Sequence, residues 1–307
     1  MRNFIIDTDT ASDDAVALVM ALRQPDIAVK AITVVAGNVP LAPALQNALY
    51  TVELCAADAP VYAGCAKPLL RELETAQDVH GQDGLGDIGL PLYGRTPAPG
   101  HAADVLRAVI KAHAGDITLV TLGPLTNVAL ALLREPELAR SVSHCYIMGG
   151  IGSGHGNVTP TAEFNIWVDP EAAKIVFESG MPMTMVGWDI SWKYATFDAR
   201  QAEEIRRIGT PLAEFVIDIQ ATLTEFSMTE NALAGFDLPD PITMAAAIDP
   251  SIVDCREYRV DVTTGDGLER GMTVVDVLGV TKRAPQMRVA TRADRAAFVD
   301  MLKRSVP

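Results

Sequence analysis

Apolar runs of strand character at 3–6, 27–35, 117–122, 143–148 and 182–187 alternate with helical patterns at 13–23, 41–57, 124–134, 169–179 and, later, 198–228. Strands that read as unbroken apolar runs are buried on both faces, and helices between them are the crossovers that parallel strands need. The pattern predicts an α/β fold: a single open, mostly parallel (Rossmann-like) sheet with helices on both faces. Three more strand-like runs, near 257–263, 272–278 and 286–290, predict a C-terminal strand extension, either a hairpin or an edge addition to the same sheet. The stretch richest in Gly and Pro, Gly81 to Gly100, lies between regular elements. It reads as a long loop or lid and not as a domain boundary, so residues 1–307 are expected to form a single domain.

Ligands of such sheets bind beyond the carboxyl ends of the strands. The first of these ends carries Asp7-Thr8-Asp9-Thr10-Ala11-Ser12-Asp13-Asp14, four carboxylates in eight residues, directly before a helix. Ser12 is suited to cap that helix, and Asp13 and Asp14 gain from its positive end. The remaining mutual repulsion needs a partner. Clustered carboxylate oxygens without Cys or His suit Ca²⁺ or Mg²⁺ and not zinc; a solvated acidic turn is the alternative. The net charge, 25 Lys and Arg against 39 Asp and Glu, or −14, agrees with a cation site. It excludes the basic footprint of a nucleic-acid binder. Cys55, Cys65, Cys145 and Cys255 are scattered, without a C-x-x-C pair, and read as buried reduced thiols. Asn3-Phe4-Ile5-Ile6 runs into Asp7 as a first core strand with no leader pattern, and no apolar run is long enough to span a bilayer. A cytoplasmic protein with no membrane partner is expected.

Two families place acids after a first strand. In haloacid-dehalogenase-like phosphatases, with D-x-D-x-[TV], Asp7 would be the nucleophile, but Ala11 stands where Thr or Val is wanted. Nucleoside hydrolases carry D-x-D-x-G-x-D-D, and here all four Asp match with Ala11 in the Gly position. Further segments keep the order of that family: Gly37-Asn38, His80-Gly81-Gln82-Asp83-Gly84-Leu85-Gly86, and Gly123-Pro124-Leu125-Thr126-Asn127. Then come Met148-Gly149-Gly150, the run from Gly156-Asn157 through Glu163-Phe164-Asn165 to Asp169-Pro170-Glu171-Ala172-Ala173, and Asp240-Pro241. From Asp7 to about Pro250 the chain thus resembles the nucleoside hydrolase family, of the inosine-uridine preferring, calcium-dependent N-ribohydrolase kind.

The resemblance implies hydrolysis of the N-glycosidic bond of ribonucleosides to base and ribose through an oxocarbenium-like transition state, as in purine and pyrimidine salvage. It implies Ca²⁺ held by Asp9, Asp14, the Leu122 carbonyl and Asp240, with Asp9 as general base for the attacking water. Asp13, Asn38, Met148, Asn157, Glu163 and Asn165 would bind the ribose, and the enzyme would be a homodimer or homotetramer. Asp7, Asp9, Asp13, Asp14 and Asp240 are expected to converge on one cation-centred pocket.

One departure stands out. Pro239 occupies the place of the His that donates a proton in one subgroup, and no His follows His155. Leaving-group activation then has three open routes: aromatic stacking by Trp188, Trp192 or Phe226, His80 swinging in from the lid, or a substrate with a better leaving group. A ribose- or nucleoside-binding protein with lost or altered activity is the non-catalytic alternative.

Overall fold

The structure is a computed structural model and describes residues 1–230 and 234–307. Among these the strands are β1 (Arg2–Thr8), β2 (Ile27–Val34), β3 (Val61–Ala63), β4 (Ile117–Thr121), β5 (His144–Met148) and β6 (Met183–Val186). They continue as β7 (Thr196–Asp198), β8 (Gly235–Asp237), β9 (Val253–Tyr258), β10 (Val260–Val262), β11 (Thr273–Val275) and β12 (Met287–Ala293). One eight-stranded sheet runs in the order β3-β2-β1-β4-β5-β6-β12-β9. Its pairs are parallel except β12 with β9.

Strand alternation sends Phe4 and Ile6 to one face and Ile5 to the other. Helices Ser12–Leu22, Leu41–Leu54 and Pro239–Ile248 cover the first face. Helices Ala102–Ala112, Thr126–Arg134 and Pro170–Phe177 cover the second. Helix Ser12–Leu22 is buried from Ser12 to Ala21 and packs on Pro239–Ile248, so it has almost no polar face. That packing brings Asp13 and Asp14 beside Asp240, although more than two hundred residues separate them in the chain.

The C-terminal region realises both expected forms. β12 enters between β6 and β9 and lengthens the main sheet, while β10 and β11 make a separate antiparallel pair. The stretch 198–228 departs from a single helical run. It forms helices Ala199–Arg206, Pro211–Asp218 and Ala221–Thr229. Gly209 takes a positive φ of 76° and Pro211 starts the next helix, and each of these interrupts a continuous helix. Ser12 does not cap the first helix either. Ala11 holds the cap position, its N–H donates to Asp14 Oδ2 at 2.9 Å, and the Ser12 hydroxyl is turned toward His80 Nδ1 at 3.1 Å. Among the described residues no helix is long and apolar enough to cross a membrane.

Strand order reverses between β1 and β4, so the crevice for a ligand opens past their carboxyl ends. Asp9 follows β1 there, and Leu122 follows β4.

Candidate active site

Two glycines let Asp9 occupy the switch point. A Cβ on Gly123 would sit 2.5 Å from Asp9 Oδ1, and one on Gly37 would collide with Oδ2. Between them Oδ2 accepts the Asn38 N–H at 2.6 Å, while Oδ1 is buried without a partner. Burial, and then the charges of Asp14 and Asp13, hold the Asp9 carboxyl well above the usual carboxylate range.

Asp13, Asp14 and Asp240 each offer a carboxylate oxygen within 4.8 Å of the others, and all three are buried. Asp14 accepts from Thr8 Oγ1 at 2.5 Å and from Ala11 N–H, and burial with the Asp13 charge pushes it up to about 7. Asp240 is raised strongly by burial and then by Asp14, Asp13 and Asp9. Asp13 Oδ1 accepts no hydrogen bond and lies 3.8 Å from His80 Nδ1. Among the described residues no Lys or Arg pairs with any of these four acids, and His80 itself is held toward its neutral form by burial. Buried carboxylates with open lone pairs and no cationic side chain are a hard-cation donor set. The residues therefore fit a divalent metal. The Leu122 carbonyl lines the same cavity and accepts from Asn165 Nδ2 at 2.7 Å.

Asp7 does not join this group. Its Oδ2 accepts from Thr33 Oγ1 at 2.5 Å and Asn127 Nδ2 at 2.9 Å, tying β1 to β2 and to helix Thr126–Arg134. Burial alone lifts it, to about 7, with no neighbouring carboxylate contributing. These bonds set Asp7 apart from Asp13, Asp14 and Asp240 as an acid that ties structure together.

A cavity of about 380 Å³ opens beside the cluster, lined by Asp13 and Asp240 of these acids but not by Asp9 or Asp14. Asp13, Asn38, Met148, Asn157, Glu163 and Asn165 all line it. Asn157 Oδ1 accepts from the Phe164 N–H at 3.0 Å. Glu163 caps helix Phe164–Val168 and accepts from the N–H groups of Gly150 (2.8 Å), Asn165 (2.8 Å) and Ile166 (3.2 Å). Burial nevertheless pushes Glu163 up to about 7.

Apolar side chains also line the cavity, among them Trp188, Leu223, Phe226 and Pro239. His80 and Asp237 are there too. His80 ends helix Gln77–His80 and is buried beside Ser12 and Asp13, not carried on a swinging lid. Trp192 is not among the lining residues; it packs on Trp188 with ring centroids 5.0 Å apart and on His155 at 5.3 Å. Asp237 was not singled out in the sequence. It ends β8, is 5% exposed, and its Oδ2 accepts from Ser191 Oγ at 2.7 Å.

A family model described as inosine-uridine preferring nucleoside hydrolase matches residues 4–300. A pyrimidine-specific ribonucleoside hydrolase, RihA, of Salmonella paratyphi C is 42% identical over 300 residues, covering 97% of this chain and 96% of that protein. Among solved structures, a plant nucleoside hydrolase, the PpNRh1 enzyme, superposes with a TM-score of 0.93 at 34% identity over 99% of both chains. A purine-preferring ribonucleoside hydrolase from Gardnerella vaginalis gives 0.92 at 30% identity, over 99% of this chain and 98% of that one.

Proposed function

The chain belongs to the inosine-uridine preferring nucleoside hydrolase family, and from that premise we propose a calcium-assisted hydrolysis of the N-glycosidic bond of ribonucleosides, giving free base and ribose. It is a hydrolase. The observation that carries the site assignment is a cluster of buried, under-partnered carboxylates facing a cavity lined by amide and carboxylate groups.

Asp9, Asp14, Asp240 and the Leu122 carbonyl are the proposed calcium ligands, an all-oxygen set of the kind this ion takes. When bound, such a cation lowers the pKa of a coordinated water and orients it. Asp9 is the general base: its unpartnered Oδ1 has free acceptor capacity for the proton of an attacking water. Asp13, whose Oδ1 is likewise free, and Asn165 grip the 2′- and 3′-hydroxyls. Asn38, Met148, Asn157 and Glu163 complete the ribose pocket. Three of the acceptor sites on Glu163 serve backbone amides, so it acts at least as much by holding the Gly150 and Asn165 backbone as by touching sugar. His80, held toward its neutral form by burial and bonded to Ser12, borders the ribose pocket beside Asp13. Trp188 and Phe226 stack against the base. These contacts favour positive charge developing at the ribose ring over the neutral ground state.

The phosphatase reading loses its nucleophile. Asp7 is bonded to Thr33 and Asn127 and stands apart from the acids that gather with Asp240. Beyond the site, we propose a single-domain cytoplasmic enzyme of nucleoside salvage, acting as a homodimer or homotetramer without nucleic-acid or membrane partners. Reducing-sugar release from inosine, uridine and other nucleosides, with and without EDTA, tests the function. Chelator-sensitive ribose release is expected; ribosides that bind without being cleaved would leave a binding protein instead.

A further inference from the structure

The place of the subgroup's proton-donating His is Pro239, which has neither a proton nor a backbone N–H to give. Two residues earlier the chain carries Asp237, at the end of β8 and fixed by the antiparallel pairing of Asp237 with Thr196 in β7. Asp237 lines the cavity, as do Trp188, Phe226 and Pro239, whose apolar surfaces suit a planar base. Helix Trp188–Tyr194 presents Trp188 and, three residues on, Ser191 on one side. Ser191 is fully buried and its hydroxyl donates to Asp237 Oδ2 at 2.7 Å, which restrains the carboxyl.

Asp237 has no part in the acid cluster at the switch point, and among the described residues no Lys, Arg or His pairs with it. A buried carboxylate without a cation is costly, so burial shifts the group toward its protonated form. Burial, and then the Asp13 charge beyond it, raise it to about 6, against the opposing pull of Ser191 and Trp188. It is thus an acid still partly protonated near neutrality, set where a base would leave.

We propose that Asp237 is the catalytic acid that protonates the departing nucleobase, in the role that the subgroup gives to the imidazole at position 239. This rests on the nucleoside hydrolase reading above. The bond between C1′ and the base nitrogen breaks, and its electron pair goes to the base. The Asp237 O–H proton moves to a ring nitrogen or oxygen conjugated with that pair, so the base leaves neutral. A water oxygen bonds to C1′ and gives one proton to Asp9. Asp9 then releases that proton to solvent and Asp237 takes one back, for a net consumption of one water.

The test compares substrates that differ in their need for an acid. Inosine and uridine leave poorly as anions, whereas p-nitrophenol leaves readily as one. Asp237→Asn keeps the shape and an acceptor for Ser191. It is expected to lower kcat on inosine and uridine by about 100-fold or more, the scale of a lost general acid. The loss on p-nitrophenyl riboside should be at least about tenfold smaller. Asp237→Glu, which keeps an acid, should exceed Asp237→Asn on the nucleosides and not on the activated riboside. Ser191→Ala, a milder change in the same pair, should show the same selectivity at smaller size. Equal losses on both substrate types in these variants, or unchanged nucleoside turnover in Asp237→Asn, overturn the assignment. So does a wild type active only on the activated riboside. A wild type that cleaves no riboside at all, by contrast, overturns the family-based function itself.

Discussion

Stripping divalent metal from this protein and heating it at about pH 5 and about pH 8 separates a cation site from a merely acidic turn. Asp14 stands at about 7 in the folded chain against an ordinary 3.8, because burial and the Asp13 charge disfavour its ionised form. A carboxyl raised on folding binds more protons folded than unfolded between those two values. Stability therefore falls as pH rises through that window, and the full penalty is present above about 7. For Asp14 the shift corresponds to roughly 4 kcal/mol. Asp9 and Asp240 move in the same direction and add to it. A chain of this length gains roughly 0.6 kcal/mol/K of unfolding entropy, so about 4 kcal/mol is about 6 °C in Tm.

A cation that ligates these acids removes the penalty only where they are ionised. Between about pH 5 and about pH 8 the Asp14 penalty grows by roughly 3 kcal/mol, so calcium should raise the melting temperature by at least about 4 °C more at the higher pH. Asp7 and Glu163 are also held near 7, but one lies off the cavity and the other serves backbone amides. Their pH dependence should persist with calcium present. Differential scanning calorimetry with calcium or EDTA, on wild type and on Asp240→Asn, measures both parts. An equal calcium shift at the two pH values would refute the reasoning, as would a metal-free protein more stable at the higher pH.

Asp9→Ala should cut kcat on nucleosides by about 100-fold or more while ribose still binds, read from steady-state kinetics beside ribose titration. Gly123→Ala puts a methyl group 2.5 Å from Asp9 Oδ1, so turnover should collapse with secondary structure intact by circular dichroism; unchanged activity would show that Asp9 has room to move. Glu163→Gln replaces one of two oxygens that accept from Gly150, Asn165 and Ile166. It should cost about 1–3 kcal/mol in urea unfolding and raise KM, because a buried N–H loses its acceptor.

What the sequence made legible divides by distance along the chain. The main strands of the sheet could be read because each is a continuous apolar run, and the acid cluster after β1 because it is local. β3, β7 and β8 are three residues each, too short for a period to show. Helix Ala102–Ala112 carries its own signals, a His101 ring that accepts from Ala103 N–H and buried Leu106 and Ile110, but it directly follows the Gly/Pro-rich stretch. The insertion of β12 between β6 and β9 is a choice of register among distant segments, which local pattern does not encode. Asp240 could be placed only through resemblance, and Asp237 not at all, since its partner Ser191 lies 46 residues away. Trp188 and Trp192 look equivalent in sequence; they lie on one helix face a turn apart, and the first lines the cavity while the second packs on it and on His155.

Counting donors around each buried acid sorts this chain's carboxylates by task. An ionised carboxylate offers about four acceptor positions. Glu163 fills three with amides. Asp169 takes Leu69 N–H, Ala172 N–H and Thr126 Oγ1, and Asp189 takes the N–H groups of Gly152 and Ser153. These acids hold loops in place. Asp9 is left with an empty oxygen between two glycines, and Asp13 with another facing His80. Asp237 receives one hydroxyl from Ser191 and borders the cavity. Burial is nearly the same in both groups, so burial alone does not mark function. Unfilled acceptor capacity within a group of acids that borders the cavity does, because only a cation, a water or a substrate can fill it. Asp7 sharpens the criterion: it too has an unpartnered oxygen, and like Asp9 it is absent from the cavity lining, but no neighbouring carboxylate acts on it as Asp14 and Asp13 act on Asp9. By that criterion the missing His leaves the site incomplete only if Asp237 is overlooked.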